Sequence, residues 1–108
     1  MKKVYLSLDE IDLGYLVQTD QSYLFIANED GVNEAITTNP VAMKFFNLNK
    51  IGEKSYQQIP HLFAQFLLAS SRNDLCEKAK FNETDDEFEK LFKLAGLNIM
   101  QINFKIHQ

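Results

Sequence analysis

Basic charge, cysteine and glycine are all scarce in this 108-residue chain, and each shortage removes a class of function. Arg72 is the one arginine, and the lysines are scattered singly apart from Lys2-Lys3. Fifteen acidic residues against eleven basic ones leave a net charge of −4. A protein that grips nucleic acid through its phosphates needs a concentrated basic stripe, so direct nucleic-acid binding is not expected. A single cysteine, Cys76, cannot close an internal disulfide, so the fold does not depend on oxidation. Four glycines at 14, 31, 52 and 96 lie too far apart for a phosphate-cradling loop. Long apolar runs are also missing. No stretch approaches the roughly 20 residues of a membrane-spanning helix, and Asp9, Glu10 and Asp12 interrupt any signal-peptide core. Cytoplasmic residence is the expectation, with no membrane partner.

What the chain does have is material for a core. Hydrophobic residues make up 45%, including nine phenylalanines. That is ordinary for one globular domain of this length. The N-terminal third alternates at period two, the mark of half-buried strands. Val4, Leu6 and Leu8 fall on one face, and Leu13, Tyr15 and Val17 repeat the pattern. After the turn residues Thr19 to Ser22, Tyr23–Ala27 reads as a third strand, and the short connections imply an antiparallel meander. Glu29-Asp30-Gly31 and Asn39-Pro40 read as turns around a short strand at Ala35–Thr38. Val41 to Phe46 suits either helix or strand, and Asn47 to Ser55 reads as polar punctuation.

From Pro60 the period becomes helical, with Leu62, Phe63, Phe66 and Leu67 on one stripe. Ser70 to Asn73 breaks the stripe and offers caps for a second helix through Leu75, Cys76 and Ala79. Thr84-Asp85-Asp86-Glu87 has the form of a capping box. Phe88, Leu91, Phe92 and Ala95 follow at helical spacing, with Gly96 placed to cap the end. The last segment returns to period two, with Met100, Ile102, Phe104 and Ile106 facing one way. The expected fold is α+β: a small antiparallel sheet, the N-terminal meander plus a C-terminal strand, packed with about three helices.

Chemistry-bearing patterns are sparse. His61 and His107 have no partner at metal-ligand spacing, and each is more simply a surface residue. Cys76 lies on an apolar stripe and reads as a small core thiol. The acidic run Glu83, Asp85, Asp86, Glu87 and Glu89 lacks the alternate-residue spacing of a calcium loop, and helix capping accounts for it. No catalytic residue, metal site or cofactor is expected from these patterns, and the chain reads as a binding protein and not an enzyme.

Several stretches carry a family resemblance. Val4-Tyr5-Leu6, then Leu13-Gly14-Tyr15-Leu16, then Tyr23-Leu24-Phe25-Ile26 resemble the strand, hairpin and aromatic strand that open the N-terminal subdomain 1 of HipA-family serine/threonine kinases. That subdomain also occurs free-standing as HipS, the antitoxin component of HipBST-type toxin–antitoxin systems. Ile36 to Pro40 loosely matches the family's Leu-Ser-Leu-Pro strand. Leu62 to Arg72 looks like a diverged form of its Phe-Phe-x-x-Leu-Leu-Pro-Glu-Gly-Trp stretch. Phe88 to Gly96 is similar to its Phe-x-x-Leu-x-x-x-Gly helix, and Asn98 to Ile106 to its closing strand. In place of Pro-Glu-Gly-Trp stands Ala69-Ser70-Ser71-Arg72, which exchanges a stacking tryptophan for a charged side chain.

The resemblance implies a single domain over residues 1–108 that stops where a full-length HipA would continue into its kinase core. It also implies an antitoxin-type protein that binds and inhibits a HipT-like serine/threonine kinase toxin, with a HipB-like DNA-binding protein as a further partner. The implied contact residues are Phe63, Phe66, Ser70, Ser71 and Arg72. Two alternatives stand beside it: an accessory subunit tethering a kinase to a DNA-binding partner, or a small-molecule binding protein.

Overall fold

The computed structural model describes residues 2–20, 22–44, 46, 53–69, 78–101 and 103–108. Strands β1 (Val4–Leu8), β2 (Ile11–Gln18) and β3 (Tyr23–Ala27) come first, followed by helices α1 (Glu29–Thr38) and α2 (Pro40–Met43). Strand β4 (Glu53–Tyr56), helices α3 (His61–Ala69) and α4 (Glu87–Ala95), and strands β5 (Met100–Gln101) and β6 (Phe104–His107) complete the order. All six strands join one sheet in the order β4-β3-β2-β1-β6-β5, and every pairing is antiparallel. The fold is therefore α+β, with the meander and the C-terminal strand side by side as expected.

One face of this sheet carries the core. Val4, Leu6 and Leu8 of β1, Leu16 of β2, Phe25 of β3, and Phe104 and Ile106 of β6 are all buried there. The helices lay Val32, Ala35, Phe63, Phe66, Leu91 and Leu94 on the same layer. The alternation expected for Leu13, Tyr15 and Val17 is corrected by a bulge. Leu6 pairs with Gly14 but Ser7 pairs with Asp12, so Leu13 is the extra residue. Leu13 and Leu16 both reach the core, while Tyr15 turns to the other side opposite Tyr5. Gly14 makes this possible: its φ is +131°, and a Cβ there would lie 2.3 Å from the Ile26 carbonyl oxygen.

The strand expected at Ala35–Thr38 is instead the second half of α1. Asn28 caps that helix by accepting from the Gly31 amide at 3.2 Å, and its own side chain donates to Asp12 at 3.0 Å. Gly31 is the contact point with β2, since a Cβ would fall 1.7 Å from the Asp12 carbonyl oxygen. Glu29-Asp30-Gly31 is thus a helix start seated on a strand, and the Asn39-Pro40 turn is the cap and first residue of α2. Thr37 and Thr38 donate their hydroxyls to the carbonyls four residues back, at 3.1 and 3.0 Å. The fourth strand of the meander is Glu53–Tyr56, which pairs with β3 at the sheet edge.

One helix start is also corrected. Asp86, not Thr84, is the N-cap of α4, accepting from the Glu89 amide at 2.8 Å. Gly96 caps the other end as expected, with ordinary helical φ, and the left-handed residue beyond it is Asn98 at φ 53°. The C-terminal run is not one strand. Met100 pairs with Lys105 and Gln101 with Phe104, so the chain reverses around Asn103 (φ 69°) and Met100 is 61% exposed. Of the second helix, residues 78 and 79 are helical, with Ala79 buried in the core. Cys76 and the rest of that segment lie outside the described residues.

Candidate protein-binding face

Helix α3 starts where Pro60 supplies the first acceptor carbonyl, to the Ala64 amide at 3.0 Å. Its sequence, HLFAQFLLA, contains more apolar side chains than one stripe can hold. The inward stripe consists of Leu62, Phe63 and Phe66, with Ile59 just ahead of it. Phe63 lies 5.9 Å, ring to ring, from Phe25 of the sheet, and Phe25 in turn meets the Phe46 ring at 6.2 Å.

This packing corrects the expected contact set. Phe63 and Phe66 are 0% and 1% exposed, so they hold α3 to the sheet and cannot touch a partner. Ser70, Ser71 and Arg72 lie outside the described residues. The side chains that face outward are one position along the helix: His61, Ala64, Gln65 and Leu68. Leu68 is 74% exposed, the most of any large hydrophobic residue among those described. These residues, with Leu67, form one wall of a groove of about 320 Å³, and Glu87 and Lys90 of α4 form the other. Gln65 and His61 approach within 3.4 Å across one helical turn on the rim. An apolar floor edged by a cation, an anion and an amide is suited to receive a side chain or helix of another protein.

The groove is positioned by α4, whose N-terminus is tied down by charge. Lys2 pairs with Glu89 at 2.7 Å, and Lys93 with Asp85 at 2.6 Å. The Asn82 amide donates to the Asp85 carboxylate at 2.8 Å. That backbone hydrogen bond, reinforced by Lys93, holds the Asp85 carboxyl below its usual range. Next to it, burial pushes the Tyr23 phenol upward, and the nearby carboxylates of Asp86 and Glu87 add to the shift. Tyr23 stacks on Phe88 at 6.2 Å, so these effects belong to the seat of α4 on the sheet.

The two histidines lie on opposite sides of the sheet. His61 is exposed on α3, whereas His107 stacks on Tyr5 on the far face, at 5.2 Å and 8° between ring planes. Among the described residues, no group of three or more His, Cys, Asp or Glu side chains could hold a metal ion. The acidic run of α4 is used as Asp86 capping, the Asp85–Lys93 pair and the Glu89–Lys2 pair. A concavity of about 620 Å³ is an open trough on that far face lined by Tyr5, Ser7, Glu10, Asp12, Lys105 and His107, among others. No helix among the described residues is long and apolar enough to cross a membrane.

Comparison of the chain with family models, with curated proteins and with solved structures found no match.

Proposed function

We propose that this chain is a non-catalytic, cytoplasmic protein of the antitoxin type, which binds a HipT-like serine/threonine kinase and holds it inactive. The single observation that carries the reading is the outward apolar face of α3. Leu68 is 74% exposed, and half-buried Leu67 and Ala64 beside it line one wall of the groove between α3 and α4. That wall lies within the segment whose sequence resembles the family's contact stretch, and it runs directly into Ser70, Ser71 and Arg72. Further support comes from the order of elements. A strand, a hairpin and an aromatic strand come first, and a phenylalanine-rich helix, a Phe-x-x-Leu helix and a closing pair of strands come later, in the sequence the resemblance implies; the helices Glu29–Thr38 and Pro40–Met43 and the edge strand Glu53–Tyr56 stand between them. Ile36 to Pro40, matched to the family's Leu-Ser-Leu-Pro strand, is helical up to Thr38 and then caps and opens α2, so that stretch lends the reading no support.

Within this reading the roles divide. Phe63 and Phe66 anchor the helix, Leu68 with Leu67 beside it meets the kinase, and Arg72, outside the described residues, is kept from the sequence reading as a charged contact. Co-expression with a HipA-family serine/threonine kinase, followed by a phosphorylation assay on the complex, tests it. The reading expects a stable complex with reduced kinase activity. A complex with undiminished activity would make the chain a tether between the kinase and a HipB-like DNA-binding protein. No complex would leave the likeness as one of fold.

A further inference from the structure

The far face of the sheet is built in rows that cross the strands. Pairing places Lys105 of β6 opposite Ser7 of β1, and Ser7 opposite Asp12 of β2. The next row is His107, Tyr5 and Tyr15 on the same three strands. Tyr5 lies 5.2 Å from the His107 ring and 5.4 Å from the Tyr15 ring. Tyr5, Tyr15, Leu24 and Ile26 lie outside the core cluster and are half-buried, while Val17 among them is buried at 3% exposure.

Both rows are symmetrical about β1. One has a cation, a small hydroxyl and an anion; the other has an aromatic ring at all three places. Within this chain Lys105 has no ion-pair partner among the described residues, and Asp12 accepts only from the Gly14 amide and the Asn28 side chain. A two-fold axis running along β1 in the plane of the face exchanges β6 of one copy with β2 of the other. It sets each Lys105 against the Asp12 of the second copy, each His107 against the other's Tyr15, and Tyr5 against Tyr5. Both charges are matched and the aromatic row meets itself.

We propose that this face is where two copies of the chain associate, sheet against sheet, about a two-fold axis along β1. The contact is small. Strands about 4.8 Å apart and roughly 17 Å long give on the order of 400 Å² per copy, about half of a standard interface. The dimer is therefore reversible, with a dissociation constant on the order of micromolar or weaker.

Sedimentation of the full chain from about 10 μM to about 1 mM tests this. The weight-average mass should climb from 12.5 kDa towards twice that value. Lys105→Glu, which turns the matched pair into like charges and leaves the Asp12 hydrogen bonds intact, should weaken the dimer tenfold or more. Tyr5→Ala should weaken it similarly through the aromatic row, with circular dichroism confirming that both variants are folded. A wild-type chain that stays monomeric at about 1 mM would overturn the proposal. So would a dimer indifferent to both substitutions, which must use another face. Binding of a labelled oligouridylate by wild type but not by Tyr5→Ala would also overturn it, by making the aromatic row a stacking platform for single-stranded RNA.

Discussion

The two faces of the sheet are made by neighbouring residues of the same strands, yet they are different materials. On β3, Phe25 is fully buried among Phe46 and Phe63, while Ile26 beside it faces away and stays half-exposed. On β2, Leu16 is in the core and Tyr15 on the far side pairs with Tyr5. The packed face is aliphatic and aromatic throughout and holds every helix. The far face mixes rings with Lys3, Lys105, Ser7 and Asp12, and Lys3 sits 4.6 Å above the Tyr15 ring. The large apolar cluster thus lies on one side of the sheet, whereas the other side buries Ser7 and Val17 among half-buried rings and charged side chains.

The sharpest way to break this comparison is to truncate adjacent residues on β3. Phe25→Ala should cost about 3–5 kcal/mol, because it empties a ring-lined site that cannot collapse. Ile26→Ala should cost about 1 kcal/mol, measured by urea denaturation of both variants. Equal losses would mean that the far face is also packed. The junction between β2 and α1 gives a second test. Gly31→Ala would gain helix propensity but drives a Cβ into the Asp12 carbonyl, so we expect a net loss of roughly 1–3 kcal/mol. A stabilised variant would show that α1 does not approach β2 so closely.

The third and smallest effect concerns the salt-bridged end of α4. The native partners of Asp85 hold its carboxyl below the ordinary value of 3.8. The stabilisation is therefore complete above that pH and is lost as the pH falls through the lowered native value. Thermal melts between about pH 6 and pH 2.5 should show this decline in wild type and a flatter profile in Asp85→Asn. Identical profiles would remove Asp85 from the account.

Strands β1 and β3 and helices α3 and α4 were legible because a single periodicity governs each of them, whereas the bulge at Leu13 and the reversal at Asn103 interrupt the alternation of β2 and of the C-terminal run. Val4, Leu6 and Leu8 alternate without interruption, and Phe88, Leu91 and Ala95 repeat at helical spacing. The parts that were not legible are those where tertiary contact overrides local preference. Ile36-Thr37-Thr38 is β-branched and looks like strand, but the α1 helix satisfies both threonine hydroxyls internally. Gly31 looks like a turn residue because nothing in the sequence announces that Asp12 will lie against it. Glu53-Lys54-Ser55-Tyr56 is too polar to be read as a strand, which is normal at an exposed edge. Of the residues assigned to a contact by their bulk, Phe63 and Phe66 are in the core, and the side chain of α3 that stands out from the packed stripe is Leu68.

The central claim, that the outer face of α3 grips and silences a kinase, is tested most directly by one titration. Purified wild-type chain and Leu68→Asp are each added to a HipA-family serine/threonine kinase while substrate phosphorylation is followed. Because Leu68 is 74% exposed, the substitution should change the melting temperature little, within about 0.5 kcal/mol of stability. The account predicts that wild type suppresses phosphorylation stoichiometrically and that Leu68→Asp requires at least tenfold more protein to do so. Equal suppression by the two proteins would contradict it.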